Sequence, residues 1–135
     1  MKLLSVEDNK VTNLANTRIL KKEYPLIDIT ITENGQEALN YLQKCNKVDF
    51  PYFILLDLNM PIMNGIEFLS EIRRDDNFST IPVVIHTTSS NLEDYFKCKN
   101  LGVSGYFVKN VDFNKYKETL ITIGKYWINS FNNRI

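Results

Sequence analysis

Five short runs of apolar residues divide the chain, and each has the length and composition of a β-strand. They occupy residues 3–6, 27–31, 53–56, 83–85 and 103–108 and are rich in branched or aromatic side chains, as is typical of strands. The third and fourth runs are almost wholly apolar, which indicates central strands of a parallel sheet. The second run alternates isoleucine with aspartate or threonine, so we expect it at an edge of the sheet.

The segments between these runs carry apolar side chains at helical spacing. The positions that set this spacing are Val11, Leu14, Ala15 and Ile19; Ala38, Leu39, Leu42 and Cys45; Ile66, Leu69 and Ile72; Leu92 and Phe96; and Tyr116, Leu120, Ile123 and Trp127. Strands that alternate with helices pair in parallel through right-handed crossovers, and the helices cover both faces of the sheet. The pattern therefore predicts a (βα)5 three-layer α/β sandwich.

Length and composition narrow the class of protein. With 135 residues, 44% of them hydrophobic, the chain is long enough for one sizeable core, so we expect a single domain over residues 1–135. Acidic and basic residues balance at 16 each, which argues against nucleic-acid binding. No apolar run approaches the roughly 20 residues of a membrane span, so no membrane contact is expected. Cys45 and Cys98 lack metal or disulfide spacing and are expected to be free thiols in the cytoplasm.

Polar side chains follow four of the five predicted strands. Glu7 and Asp8 follow the first strand, Asp57 the third, Thr87 the fourth and Lys109 the fifth. In an open parallel sheet, ligands bind outside the carboxyl ends of the strands. We therefore expect these five side chains to converge on one edge of the sheet.

Three carboxylates at one edge repel one another unless a cation lies among them. Mg²⁺ suits such a site, because it is held by one or two carboxylates, by water and often by phosphate oxygens. An aspartate can accept a phosphoryl group covalently, and the transfer then depends on positioning and on charge neutralisation by metal, ammonium and hydroxyl groups. The residues therefore predict Mg²⁺-dependent phosphoryl chemistry.

Four stretches, in order at the strand ends, make the sequence resemble the response regulator receiver domains of two-component systems. They are LLSVEDN, ILLDLNMPIMNG, IPVVIHTTSS and GYFVKN. The resemblance covers nearly the whole chain and implies a doubly wound, flavodoxin-like sheet in the order 2-1-3-4-5. It also implies a stand-alone cytoplasmic phosphoprotein that is not an enzyme beyond its own phosphorylation and dephosphorylation.

The resemblance implies a phosphoacceptor and a set of Mg²⁺ ligands. Asp57 matches the acceptor, which also binds the metal, and Asp8 matches the main acidic ligand. Glu7 stands where the family has its first acidic residue and is expected to act through water. The backbone carbonyl of Asn59 would supply a further protein oxygen.

The resemblance also implies a conformational switch. Thr87 matches the hydroxyl that moves to the phosphoryl group, Lys109 the cation that pairs with that group, and Tyr106 the aromatic side chain that turns inward after Thr87 shifts. Pro61 and Gly65 match the shaped loop after the acceptor, where a side chain on Gly65 would obstruct the backbone.

Two positions depart from the family pattern. Asn110 stands where the family usually has a proline after the lysine, commonly with a cis bond, and a cis bond before another residue type costs about 3–4 kcal/mol. The state of this peptide bond is therefore open. His86 stands where an aliphatic residue is common; we interpret it as a buried neighbour of the site, and the alternative is a proton donor or phosphocarrier.

The resemblance implies a sensor histidine kinase as the phosphoryl donor and a downstream target, or a histidine phosphotransfer protein, as the recipient. Two other functions would require different residues. A phosphorylation-independent pseudo-receiver would need none of the chemistry of Asp8, Asp57, Thr87 and Lys109. A phosphohydrolase of the haloacid-dehalogenase type would need a second acid two residues after the nucleophile, where this chain has Asn59.

The C-terminal region, residues 112–135, is expected to form an extended helix or tail rich in aromatic residues. Tyr126, Trp127, Ile128 and Phe131 either pack back on the core or form a face for self-association, which would make a homodimer. Phytochrome-associated receivers are similar in the TTS stretch and in an aromatic-rich end.

Overall fold

The computed structural model describes residues 1–132. Its five strands are β1 (Lys2–Val6), β2 (Asp28–Thr32), β3 (Phe53–Leu56), β4 (Val83–Thr87) and β5 (Gly105–Val108). Its helices are α1 (Lys10–Glu23), α2 (Gly35–Lys44), α3 (Gly65–Arg74), α4 (Leu92–Asn100) and α5 (Phe113–Asn132), with a short 3₁₀ turn at Lys47–Asp49. None of the described helices has the length and apolar character needed to cross a membrane.

All strand pairs are parallel, and the sheet order is β2-β1-β3-β4-β5. This confirms the predicted fold class and the edge position of the second strand. The helices form one layer on each side of the sheet. One core lies between the sheet and α2, α3 and α4, and includes Leu4, Ile54, Phe68, Ile85 and Cys98. The other lies between the sheet and α1 and α5, and includes Leu3, Leu20, Phe53, Leu120 and Ile123.

The first four helices begin at asparagine residues whose side chains accept a backbone hydrogen bond from the first turn. These caps are Asn9, Asn34, Asn64 and Asn91. Asparagine is among the best N-cap residues, because its side-chain oxygen satisfies a free N–H group at the helix start. At α3 the cap is reciprocal, since the Glu67 side chain also accepts from the Asn64 backbone. The sequence therefore sets the starts of α1, α2, α3 and α4 within the segments that follow the first four strands.

The buried face of α1 differs from the face that the apolar spacing predicts. Val11 and Leu14 are 77% and 52% exposed, whereas Asn13 and Asn16 are buried. The Asn13 amide donates to the Glu7 carbonyl and the Asn16 oxygen accepts from Tyr116, which offsets part of the cost of burial. The Asn13 side-chain oxygen has no hydrogen-bond partner among the described residues. In α4, Leu92 and Phe96 are likewise exposed and Cys98 is buried instead. Apolar spacing located both helices correctly and placed Ile19 on the buried face of α1, but the other positions named here were assigned incorrectly.

The strand register brings the polar residues to one level. Val6 of β1 pairs with Leu56 of β3, so Glu7 and Asp57 leave adjacent strands side by side. Leu56 pairs with Ile85 of β4, and Thr87 pairs with Val108 of β5, directly before Lys109. The carboxyl ends of β1, β3, β4 and β5 therefore place these side chains around a single edge.

Candidate functional site

Three carboxylates meet at the carboxyl edge of the sheet. One oxygen each from Glu7, Asp8 and Asp57 lies within 4.8 Å of the others; Glu7 and Asp57 are buried and Asp8 is exposed. Hard divalent cations prefer such oxygen ligands. The three charges exceed the single positive charge that Lys109 brings to them. The donor set and its uncompensated charge therefore fit a divalent metal ion.

Asp57 is fixed by the backbone that follows it. Its Oδ1 accepts a hydrogen bond of 2.8 Å from the Leu58 backbone N–H. Its Oδ2 lies 3.7 Å from the Lys109 ammonium. The two oxygens therefore have different surroundings, and Oδ2 is the one that faces the cation.

Gly65 lets the loop after Asp57 close tightly. Its N–H donates to the Leu58 carbonyl at 2.9 Å, and a Cβ at this position would lie 2.3 Å from the Asp57 carbonyl oxygen. No side chain fits so close to a backbone atom. The geometry agrees with the obstruction expected from the sequence.

Lys109 connects three strands at the site. Its ammonium donates a hydrogen bond to the Glu7 carboxylate, and its backbone N–H donates to the Thr87 carbonyl at 2.6 Å. The lysine side chain is largely buried, so its charge is poorly screened by solvent. The lysine therefore partly neutralises two of the three carboxylates.

Glu7 is held by several neighbours and has a perturbed pKa. Burial raises the pKa of Glu7, and this effect outweighs the opposing hydrogen bond from Lys109; the Asp57 charge raises it further. The Asn9 N–H donates to the Glu7 carboxylate at 3.1 Å, and the Asn13 side-chain amide donates to the Glu7 carbonyl at 2.8 Å. A carboxylate that is costly to ionise in this way gains from a nearby cation.

The residues of the expected switch lie beside this cluster. Thr87 is fully buried, and its hydroxyl accepts a hydrogen bond of 3.2 Å from the Ser89 backbone N–H. The Tyr106 hydroxyl donates to the Ser89 carbonyl at 3.0 Å, and its ring lies edge-on to Tyr95, with ring centroids 5.3 Å apart. Thr87 and Tyr106 are therefore both hydrogen-bonded to the backbone of Ser89, Thr87 to its N–H group and Tyr106 to its carbonyl.

An open cleft of about 430 Å³ lies next to the acidic cluster. Asp8 and Asn59 line it, together with Asn64 and Asp94. Asp94 also accepts a hydrogen bond of 2.7 Å from the Ser89 hydroxyl. The cleft is open and polar enough to admit a charged group beside Asp8.

His86 lies under the site. The residue is 2% exposed, and its ring centroid lies 5.1 Å from that of Tyr116. Neither ring nitrogen has a hydrogen-bond partner among the described residues. Burial, with a smaller contribution from the Lys109 charge, lowers the pKa of His86 to about 4. It is therefore neutral near pH 7 and is inaccessible as a phosphocarrier.

The 109–110 peptide bond is trans, like every peptide bond among residues 1–132.

In the C-terminal half of α5, some aromatic side chains pack on the core and others are exposed. Trp127 stacks on Phe53 with ring centroids 5.4 Å apart and meets Tyr52 edge-on, whereas Tyr126 is exposed. Residues 133–135 of the expected extension lie outside the described part of the chain.

Cys98 is buried, and burial raises the pKa of its thiol to about 11, which favours packing over reactivity.

Several residues near the site escaped the sequence analysis. Asn13 and Asn16 are buried and form, with the half-buried Tyr116, a polar layer between α1 and α5, and Ser89 joins Thr87 to Tyr106. The only sequence signal for the two asparagines is their three-residue spacing, which places both on one face of α1. Tyr116, the hydrogen-bond partner of Asn16, lies 100 positions further along the chain, so residue spacing cannot reveal this contact.

The sequence profile of the response regulator receiver domain matches residues 3–121. The chain belongs to this family. Receiver domains typically bind Mg²⁺ at an acidic pocket, interact with histidine kinases and downstream proteins, and are generally not catalytic enzymes. The cluster of Glu7, Asp8 and Asp57 is the acidic group that the described residues offer for such a pocket.

Similar proteins include regulators from archaea and cyanobacteria. The probable methanogenesis regulatory protein FilR2 of Methanothrix harundinacea is 32% identical over 93% of this chain and 83% of its own length. Response regulator Rcp1 of Synechocystis is 31% identical, over 93% of this chain and 88% of its own. The crystal structure of the phosphorylated cyanobacterial phytochrome response regulator RcpA superposes with a TM-score of 0.88 at 31% identity, covering 96% of this chain and 94% of that one.

Proposed function

We propose that Asp57 accepts a phosphoryl group from a sensor histidine kinase in a Mg²⁺-dependent reaction, and that this receiver domain signals by a change of conformation. The observation that carries the proposal is the convergence of three carboxylates within 4.8 Å, with the Lys109 ammonium 3.7 Å from Oδ2 of Asp57. Buried carboxylates with an adjacent cation suit phosphoryl transfer, because the reaction depends on positioning and charge neutralisation.

In the transfer, Oδ2 of Asp57 attacks the phosphorus of a phosphohistidine. The new P–O bond forms as the P–N bond breaks, and the electron pair of the broken bond returns to the imidazole ring of the kinase. Oδ1 keeps its hydrogen bond from Leu58, which orients the carboxylate. The Lys109 ammonium turns from Glu7 toward the added phosphoryl oxygens. Water ends the phosphorylated state by attacking the phosphorus of the aspartyl phosphate, which releases inorganic phosphate and restores the Asp57 carboxylate. Phosphorylation and this hydrolysis are the only reactions proposed for the chain.

Mg²⁺ would be held by Asp8, by Asp57, by the backbone carbonyl of Asn59 and, through water, by Glu7. The metal supplies positive charge that offsets the negative charge of the phosphoryl oxygens. Asp8 and Asn59 both line the open cleft, so the metal side of the site is the accessible side.

The conformational change starts at Thr87 and ends at Tyr106. The Thr87 hydroxyl leaves the Ser89 N–H and donates to the phosphoryl group. The Tyr106 ring then gives up its bond to the Ser89 carbonyl and moves into the space that Thr87 vacates. A phosphoryl group acts here by favouring one of two pre-existing arrangements.

The proposed setting is a single receiver domain in the cytoplasm. Its partners are the kinase and either a downstream target or a histidine phosphotransfer protein, with no nucleic acid and no membrane. Tyr126 and the rest of the exposed face of the C-terminal α5 region offer a surface for a homodimer.

The test is phosphorylation by acetyl phosphate with Mg²⁺, followed by intact-protein mass. The wild-type chain is expected to gain one phosphoryl group, and Asp57→Asn to gain none. Asp49→Asn is the matched control, because Asp49 pairs with Lys2 outside the site. Phosphoprotein in Asp57→Asn would refute the acceptor assignment. A folded wild-type protein that gains no phosphoryl group would favour the pseudo-receiver, and multiple-turnover release of phosphate from phosphate esters would favour a hydrolase.

The metal ligands are tested separately by calorimetric titration with Mg²⁺. The wild-type chain is expected to bind in the millimolar range, as a site with few protein carboxylates should. Asp8→Ala should lose this binding. Unchanged binding in that variant would contradict the choice of Asp8 as the main ligand.

A further inference from the structure

Two tyrosine hydroxyls tie helix α5 to the α1 segment. Tyr24, which ends α1, donates to the Ile121 carbonyl at 2.6 Å. Tyr116, near the start of α5, donates to the buried side-chain oxygen of Asn16 in the middle of α1. The two bonds are chemically alike but lie at different distances along α5 from the acidic site.

The Tyr116 bond belongs to a polar layer that reaches the acidic cluster. Asn16 lies three positions after Asn13, on the same face of α1, and the Asn13 amide donates to the Glu7 carbonyl at 2.8 Å. Burial raises the pKa of Tyr116 to about 12, and the charges of Glu7 and Asp57 contribute to the rise. The hydroxyl therefore stays protonated, remains a donor, and lies within electrostatic range of both carboxylates. Tyr24 differs, because its pKa is raised by burial and then by the charge of Glu23, which lies outside the acidic site.

Tyr116 also contacts the strand that carries Thr87. Its ring packs at 5.1 Å between centroids against His86, which directly precedes Thr87 in β4. Neither buried His86 nitrogen has a hydrogen-bond partner within residues 1–132, so no hydrogen bond from this part of the chain holds the ring in one orientation. A movement of Thr87 can therefore pass through His86 to Tyr116 without breaking a bond.

We propose that Tyr116 is a positioning residue that couples the charge at the acidic site to the position of helix α5, through Asn16 on one side and His86 on the other. The inference rests on the proposed phosphorylation of Asp57. Phosphorylation makes the acceptor more negative and draws Lys109 away from Glu7, which changes the field at the Tyr116 hydroxyl. Because its hydroxyl is bonded to Asn16 and its ring packs against His86, Tyr116 responds by shifting together with α5.

The chain contains its own reporter of α5. Trp127 is the only tryptophan, and it lies eleven residues after Tyr116, which is three helical turns along the same face. It stacks on Phe53 at the start of β3. Phe53 precedes Asp57 by four strand residues, or roughly 13 Å, so Trp127 emission responds to movement of α5 and not to direct contact with the site.

The experiment measures Trp127 emission and phosphoryl gain in the same samples of full chain, with Mg²⁺ alone and with Mg²⁺ plus acetyl phosphate. In the wild-type chain, phosphorylation is expected to shift the emission. In Tyr116→Phe, phosphoryl gain should persist while the emission response falls to about half or less of the wild-type response. Asn16→Ala removes the acceptor of the same bond and should act alike, and the double variant should add little to either single one.

Tyr24→Phe is the matched control, since it also removes one hydroxyl hydrogen bond between the α1 segment and α5. It should keep the full emission response. The inference is overturned if Tyr116→Phe keeps that response, if Tyr24→Phe loses as much of it, or if wild-type emission does not change on phosphorylation. Absence of phosphoryl gain in the wild-type chain would instead refute the proposed function, and with it the basis of the coupling.

Discussion

The Lys109 ammonium lies 3.7 Å from Oδ2 of Asp57 but donates its hydrogen bond to Glu7. The positive charge of the lysine thus offsets part of the negative charge that a metal ion would otherwise neutralise. Lysine and metal therefore compete electrostatically for the same acidic groups before phosphorylation.

Replacement of Lys109 should strengthen metal binding and weaken phosphorylation. In Lys109→Met, removal of a charge beside two carboxylates should lower the Kd for Mg²⁺ by about 3- to 10-fold, measured by calorimetric titration. The rate of phosphoryl gain should fall, because the transferred group loses its cation. Lys2→Met is the control, since Lys2 pairs with Asp49 away from the site. An unchanged Kd in Lys109→Met would contradict the competition.

His86 should make the protein sensitive to mild acid. Its pKa is about 4 in the folded chain against an ordinary value of 6.5, so between these pH values the unfolded chain binds the extra proton. The free energy of unfolding should therefore fall as the pH drops from 6.5 to 4, by up to about 3 kcal/mol. Because His86 is the only histidine, urea unfolding of wild type and His86→Leu at pH 7 and pH 4.5 isolates its share. An equal loss in both proteins would exclude His86 as the cause.

Ile62 has a backbone conformation that is unfavourable for a β-branched residue, and its apolar side chain is exposed. Its φ is 70°, in the left-handed region, and its side chain is 82% exposed. A β-branched residue is strained there, whereas asparagine tolerates that region. We expect Ile62→Asn to raise the free energy of unfolding by about 1 kcal/mol, measured in urea. Val111→Asn, at a fully exposed loop position of negative φ, should change it little. Equal effects in the two variants would mean that the gain does not come from the backbone conformation at position 62.

Arg73 holds together the opposite edge of the molecule. Its guanidinium donates to four backbone carbonyls, those of Ser79, Ile81, Leu101 and Gly102. Arg73→Ala should lower the free energy of unfolding by about 2–4 kcal/mol, because it leaves part-buried carbonyls without donors. Arg74→Ala should cost less than about 0.5 kcal/mol, since Arg74 forms only an exposed pair with Glu71. Similar losses in the two variants would argue against the role of Arg73.

The sheet could be predicted from the sequence because strand patterns are local. Branched residues in short runs, with polar residues at their ends, identified all five strands and the edge position of β2. The strand-end rule then placed Glu7, Asp8 and Asp57 together, and the structure brings them within 4.8 Å.

The buried faces of the helices and the hydrogen bonds around the site could not be predicted in the same way. As polar residues, Asn13 and Asn16 would be expected on the exposed face of α1. In the structure they are buried, with hydrogen bonds to Glu7 and Tyr116. The bond from Lys109 to Glu7 spans 102 positions of the chain. Whether a polar group can be buried depends on such distant partners, and a single sequence does not contain their distances.

The asparagine caps also bear on chemical ageing. Asn34 and Asn64 are each followed by glycine, a pair that loses ammonia when the glycine nitrogen attacks the side-chain amide carbon. Here both nitrogens are engaged: Gly35 N–H donates to the Met63 carbonyl and Gly65 N–H to the Leu58 carbonyl, each at 2.9 Å. The two asparagine oxygens are themselves held at 2.9 Å by the N–H groups of Glu37 and Glu67. Folding thus protects both sites from deamidation, and a chain stored partly unfolded will lose that protection at the starts of α2 and α3.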